Sequence, residues 1–548
     1  LRWTASVRSS SSILALLAAA AGAGVVFPVH AGPLEDLPVG HWLELPDTAM
    51  RGVDPCPTSD CSWSAVEGQA GVMDDWSGGS FDTMRDRLLV WGGGHGGYAG
   101  NELYAFELDT LAWRRLTDPS ASPIPEEPYA ADGGPSSRHT YNYVQYVASI
   151  DAFCSFGGAG FWPSGQSGTD HTDCYHFGSS SWQTHADSIF HGIGAATAYD
   201  PVADRVWGRG TGYSPDFDTA TRLGSWDPQA DAFVAHDGGN ADLAYEYGMT
   251  HAIDPNRGML VAVGNGTAIV WDISDPDAVV RSDLGATGDT EIEDTATPGL
   301  VFDANSDRIV AWGGGAAVHV LDLDAKTWTR VEPAADNVVE PTPPNGNGTF
   351  GRFARSAARN VFVVVNGVDE NVFVVRLTDG AGVAVPTVSL SADPMDVPSG
   401  GSTTLQWEAS NATGCVAAGA WAGDLELSGS REVGPIVEDS EFSISCTGPA
   451  GVGGQSVVVT VGGGGDTGTA DDGGAASSDG GAGSAGDGSG DAVTAGDTEV
   501  PDTGAGDTAG PAADEGDVAA AGCGCRSGSG GLGAALGLVP WWLRRRRR

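Results

Sequence analysis

The sequence predicts an all-β protein: six four-stranded sheets arranged as a β-propeller, then a small β-sandwich. Three observations predict it. Residue usage combines 83 glycines and 30 prolines with 17 Trp, 11 Tyr and 16 Phe, the balance expected of turn-rich β structure around a real core. One unit of roughly 50 residues recurs six times. Residues 386–462 then alternate apolar and polar side chains in several short runs.

The chain begins with an address. Residues 1–31 carry Arg2 and Arg8, an apolar run from Ile13 to Phe27, and Val29-His30-Ala31. A basic start, a short apolar core and a small residue before the cut describe a secretory signal peptide cleaved after Ala31. Export implies an oxidising compartment, in which the eight cysteines tend to pair.

Residues 32–380 hold the repeats. The first unit reads FDTMRDRLLVWGGG from Phe81 and the fifth FDANSDRIVAWGGG from Phe302. The others start at Tyr146, Tyr199, Ile253 and Ala354, the second lacking the first Asp and the sixth being the most eroded. In each, an apolar strand ends at an aromatic or aliphatic residue. Asp82, Asp200, Asp254 or Asp303 then opens a tight turn through side-chain-to-backbone hydrogen bonds. A second apolar strand such as Leu88-Leu89-Val90-Trp91 runs into glycines, and a third follows, as in Glu102 to Phe106. A fourth begins near Trp113, Trp182 or Trp328. The sixth unit ends at Leu377 without that last strand. His41-Trp42-Leu43-Glu44-Leu45 parallels Ala112 to Leu116, so residues 41–45 are expected to complete the sixth sheet and close the ring.

The double glycine after four apolar residues, with the later aromatic and Trp, resembles the Kelch repeat and the Kelch-like propeller of the galactose oxidase group, over roughly residues 39–380. On this alignment Cys154 takes the position of Leu89 and Cys174 that of Leu103, on antiparallel neighbours, so a cross-strand disulfide is expected. Cys56 and Cys61 are expected to clip the N-terminal loop. The resemblance also implies a copper radical oxidase as one enzymatic alternative, with Tyr175-His176 as the superficial match. Tyr175 aligns with the structural Tyr104, however, and the second module has no His to complete a copper site.

In residues 386–462, Pro386 to Ser391, Thr404 to Trp407, Ser443 to Cys446 and Val457 to Val461 read as strands. The module looks like a bacterial immunoglobulin-like spacer with Trp407 in its core and Cys415 bonded to Cys446. Residues 463–521 contain 13 acidic residues and no Lys or Arg among Gly, Ala, Ser and Thr. Such a segment buries too little apolar surface to offset its ordering entropy, and reads as an extended tether. Residues 522–548 carry Cys523-Gly524-Cys525, an apolar stretch through Trp541-Trp542-Leu543, and Arg544 to Arg548. This resembles the myxobacterial C-terminal sorting signal (MYXO-CTERM type), which implies a sorting protease and the membrane as partners and Cys523 or Cys525 as the processed, anchored residue. The expected location is therefore the cell surface, the outer membrane or the medium.

In a four-stranded blade, the loop entering the first strand and the loop leaving the second share one face. Entering loops supply Asp74, Asp75, His139, His191, Glu246 and Asp294; leaving loops supply His95, Tyr98, Phe161, Trp162, Asp170 and His171. These are expected to converge at one mouth of the central channel, where aromatic and carboxylate side chains suit sugars or divalent ions. No catalytic residue, metal ligand or cofactor is assigned, although a divalent ion such as calcium is compatible with the carboxylates. A formal charge of −45, from 72 acidic and 27 basic residues, argues against nucleic acid. No phosphate-binding loop, Gly-x-Ser-x-Gly elbow or His-Glu-x-x-His helix occurs. The expected function is a secreted, surface-anchored, monomeric binding protein for extracellular glycan or a surface protein. The alternative is a carbohydrate-active hydrolase or lyase using Asp74 and Asp75 beside His139.

Overall fold

The computed structural model describes residues 32–56, 61, 63, 67–164, 168–190, 194, 196–210, 223–236, 248–449 and 451–462. The expected signal peptide, the tether, the sorting tail with Cys523 and Cys525, and the site candidates His191 and Glu246 lie outside these residues.

The fold is all-β and propeller-like. After β1 (Trp42–Leu45), the first sheet contains β2 (Gly79–Asp82), β3 (Arg87–Val90), β4 (Tyr104–Glu107) and β5 (Ala112–Arg115). The second contains β6 (Val144–Val147), β7 (Ala152–Ala159), β8 (Gly168–His176) and β9 (Ser181–His185). The third contains β10 (Ala196–Asp200), β11 (Arg205–Arg209), β12 (Leu223–Asp227) and β13 (Ala232–His236). The fourth contains β14 (Thr250–Asp254), β15 (Met259–Gly264), β16 (Thr267–Asp272) and β17 (Val280–Asp283). The fifth adds the two-residue β18 (Thr287–Gly288) to β19 (Gly299–Asp303), β20 (Arg308–Trp312), β21 (Val318–Asp322) and β22 (Thr327–Val331). The sixth contains β23 (Phe353–Ser356), β24 (Val361–Val364) and β25 (Val372–Val375), and its fourth strand is β1, paired antiparallel with Trp42 opposite Val375.

The first strand of each sheet touches the first strand of the next, and β23 touches β2. One apolar cluster fills each junction. Leu88 and Val90 pack with Val361 and Val374 between the sixth and first sheets, while Leu89 and Trp91 pack with Tyr146 and Phe153 between the first and second. The same holds for Phe156 with Trp226, Trp207 with Trp271, Val261 with Leu321, and Trp312 with Phe362. Both faces of each sheet are thus covered. That is why the second strands read as unbroken apolar runs instead of alternating ones.

The turns explain the repeat. Asp82 Oδ1 accepts from the Met84 and Arg85 amides, and Asp200, Asp254 and Asp303 accept likewise. Each turn closes on a residue of positive φ: Asp86, Asp151, Asp204, Gly258, Asp307 and Asn360, all between 45° and 60°. Asp, Asn and Gly are the residues that adopt this region at least cost.

Cys154 lies directly opposite Cys174, and the two are bonded. Leu89 lies opposite Ala105, so Cys174 corresponds to Ala105, two residues beyond the Leu103 expected from sequence. Tyr175 likewise corresponds to Phe106, not Tyr104, since Phe153 faces Tyr175 where Leu88 faces Phe106. A shift of two keeps every side chain on the same face, so apolar patterning alone does not reveal it.

Beyond the sixth sheet, β26 (Thr387–Asp393), β28 (Gly401–Ser410) and β31 (Ser428–Ile436) form one sheet. β27 (Asp396–Pro398), β29 (Gly414–Gly419), β30 (Gly423–Leu425), β32 (Ser440–Gly448) and β33 (Gly451–Gly462) form another. Leu405 and Trp407 from the first meet Phe442, Ile444 and the Cys415–Cys446 disulfide from the second in one core. Cys56 and Cys61 are also bonded.

Candidate functional site

The loop leaving β3 sets the geometry. Gly94 has φ 85°, and a Cβ there would lie 2.3 Å from the Gly160 carbonyl, so only glycine lets this loop press against the second sheet. His95 follows and donates its amide to the Gly160 carbonyl at 2.6 Å. Next to it, His139 donates its amide to Ala159 at 2.7 Å. The two imidazoles therefore hang from one stretch of backbone, stacked with centroids 5.5 Å apart and planes 5° from parallel.

Trp76 packs on His139 from another direction at 4.9 Å, and Tyr141 meets it edge-on at 5.8 Å. Phe350 in turn meets Tyr141 edge-on. His139 is buried, and its Nε2 has no hydrogen-bond partner among the described residues. Burial, and then the neighbouring His95, drive its pKa down to about 3, so the ring is neutral. Trp76 and His95 are half-buried and give the cluster its accessible surface; Trp162, also half-buried, makes no ring contact with it.

Asp74 and Asp75 are adjacent but diverge. Asp74 accepts from Asn345 Nδ2, and its carbonyl accepts from Asn347 Nδ2 at 2.6 Å. Burial raises its pKa, against the opposing charge of Arg352. Asp75 is buried against Gly71 and Gly97, and its Oδ2 has no hydrogen-bond partner among the described residues. Burial, helped by the charges of Glu67 and Asp74, pushes it up to about 8.

Asp170 and His171, at the start of β8, meet Asp187 from the loop after β9. One ligand atom from each lies within 4.8 Å of the others, and His171 Nδ1 is 2.9 Å from Asp187 Oδ1. Tyr129 stacks on His171 at 5.6 Å. Nitrogen and carboxylate donors at this spacing can hold a divalent cation.

The other candidates separate from this group. Tyr98 is fully buried, and its hydroxyl donates to Glu102, which Tyr104 also engages, so Tyr98 supports the core and offers nothing to a ligand. Phe161 is also buried, 6.0 Å from the Arg138 guanidinium. Asp294 is exposed at the end of the turn Thr290–Asp294. Tyr175 is buried and packs against Phe177 and Trp182. Sequence reasoning missed Trp76, Tyr141, Phe350 and Asp187. Trp76 directly follows the Asp74-Asp75 pair, and Tyr141 lies two residues after His139. Those were the available signals.

No protein-family model matches this sequence, and a search of curated proteins finds no relative.

Proposed function

We propose that the chain is a secreted, surface-anchored binding protein whose six-bladed, Kelch-like propeller engages extracellular carbohydrate. An immunoglobulin-like spacer and an acidic tether would hold this head off the membrane. The observation that carries the reading is the ring cluster: the half-buried Trp76 and His95 both pack on the buried His139, which Tyr141 meets edge-on. Rigid, half-exposed aromatic faces match the apolar faces of sugar rings and lose little entropy on binding. The neutral His139 and the divergent aspartates supply no obvious catalytic pair. The decisive experiment is glycan-array binding by the full chain and by Trp76→Ala. Saturable binding that falls at least tenfold in Trp76→Ala supports the reading; no signal on any glycan redirects the search to a surface protein.

The Asp170, His171 and Asp187 cluster favours a second reading, a cation-dependent carbohydrate-active hydrolase or lyase on the same scaffold. Release of reducing sugar that stops on adding a chelator and returns with a divalent cation would favour it.

A further inference from the structure

The first strands of the six sheets surround a cavity of about 530 Å³ along the axis of the ring. Phe81, Tyr146, Tyr199, Ile253 and Phe302 are among the residues of its wall. The tyrosine hydroxyls face outward, Tyr146 donating to Asp151 and Tyr199 to Asp204, so both rings offer the lumen carbon faces only. Residues of the C-terminal sheets cover one end. Thr447 Oγ1 reaches the Pro201 carbonyl, Gly451 abuts Thr83, and Val452 is buried in the cluster that holds Tyr146.

No charge in the wall is left unpaired. Arg355 is paired with Asp303 at 2.7 Å, and His251 is neutral because burial, then the Arg209 charge, drive its pKa down to about 3. Against this apolar background one polar group stands out. Asn142 lines the cavity and is 3% exposed, and its Nδ2 has no hydrogen-bond partner among the described residues. Nearby, Gln145 donates its amide to Thr197 and is already engaged. An unpaired buried amide is costly, and native proteins rarely keep one without a use. The volume falls in the range of small-molecule sites, roughly 300–1,000 Å³, which are mostly apolar with a few placed polar groups.

We propose that this axial cavity is a binding site for a small, neutral, largely apolar molecule carrying one hydrogen-bond acceptor, which takes the Asn142 amide. The aromatic walls select a flat or alicyclic body, and the absence of free charge excludes ions. Trp76, His95 and His139 do not line the cavity, so a glycan on the ring cluster and a molecule in the lumen would touch different side chains.

The probe is Prodan, a neutral naphthalene ketone, titrated into the full chain and followed by fluorescence. One-to-one saturable binding with blue-shifted emission is expected. Ala198→Phe and Val301→Phe each add a ring to the wall and should weaken binding at least tenfold. Asn142→Leu, similar in size but without the donor, should weaken it about fivefold while leaving the melting temperature unchanged or raised. Trp76→Ala should bind Prodan as the wild type does. Circular dichroism melts identify any variant that fails to fold, and either filling variant alone suffices. Absence of saturable binding, or equal binding by a folded filling variant, overturns the proposal.

Discussion

Arg359, in the turn between β23 and β24, donates from Nε to Asp86 Oδ2 at 2.6 Å, tying the sixth sheet to the first. Asp86 is also the positive-φ residue of its own turn. The same arrangement recurs around the ring. Arg85 grips Asp151, Ser149 grips Asp204, and Arg257 grips Asp307, each reaching from one sheet to the positive-φ residue of the next. One small acidic residue thus serves the local turn and the junction together, which accounts for its repetition in the sequence.

Arg359→Met is expected to lower stability by about 1–3 kcal/mol, because it leaves a largely buried carboxylate without its partner. Arg359 also contacts Glu35 and Asp109, so the loss is not confined to one pair. Arg330→Met, which breaks a pair exposed on both sides, should change stability by no more than about 0.5 kcal/mol. Guanidinium unfolding of both variants, with a double-mutant cycle to Asp86→Asn, measures the difference. A cycle coupling near zero would mean that Arg359 acts through other contacts.

Asp75 gives stability a dependence on pH. Its folded pKa of about 8 lies above the ordinary carboxylate value, so the folded chain holds a proton that the unfolded chain releases near pH 4. Its contribution is therefore most favourable below pH 4 and declines as pH rises to 8, by at most about 1.4 kcal/mol per unit. Asp75→Asn removes the titration. The variant should gain on the wild type steadily from pH 4 to 8 in thermal melts. Parallel curves would mean that Asp75 is ionised in the folded state.

Much of this architecture was legible because it rests on local chemistry. The turn aspartates, the apolar second strands and the tryptophans of the fourth strands each satisfy a nearby requirement, so each leaves a mark in the repeat. Even the pairing of Trp42 with the sixth sheet could be read, since Trp42 to Leu45 copies Trp113 to Leu116. The candidate site was less legible. His95 and His139 stack only because both bond to the Ala159-Gly160 backbone, a relationship across two sheets with no sequence period. Tyr98 was read as a mouth residue because it lies in the loop leaving the second strand, yet its ring is fully buried and its hydroxyl donates to Glu102. The axial cavity left no signal, because its wall is made of ordinary strand residues.

The Cys154–Cys174 disulfide closes a loop with a sequence separation of 20 residues between neighbouring strands. Replacing both cysteines with alanine is expected to cost about 3 kcal/mol, chiefly by freeing the unfolded chain. The Cys56–Cys61 bond spans a separation of only 5, so its removal should cost less. Guanidinium unfolding of the two double variants checks the order; equal losses would mean that loop length does not set the cost.

His139 has the opposite pH dependence from Asp75. Its folded pKa of about 3 lies below the ordinary imidazole value, so the unfolded chain takes up a proton below pH 6.5 while the folded chain does not until about pH 3. Its contribution is complete above pH 6.5 and is lost as pH falls toward 3, by at most about 1.4 kcal/mol per unit. His251, held neutral by burial and Arg209, adds the same slope from another sheet. His139→Gln should therefore flatten the acid limb of the stability curve by about half of the combined His139 and His251 loss, and leave the limb above pH 6.5 unchanged. Thermal melts between pH 3.5 and 8 test it. An acid limb identical to the wild type would show that His139 is protonated within the stack, and would remove the neutral ring on which Trp76 and His95 are braced.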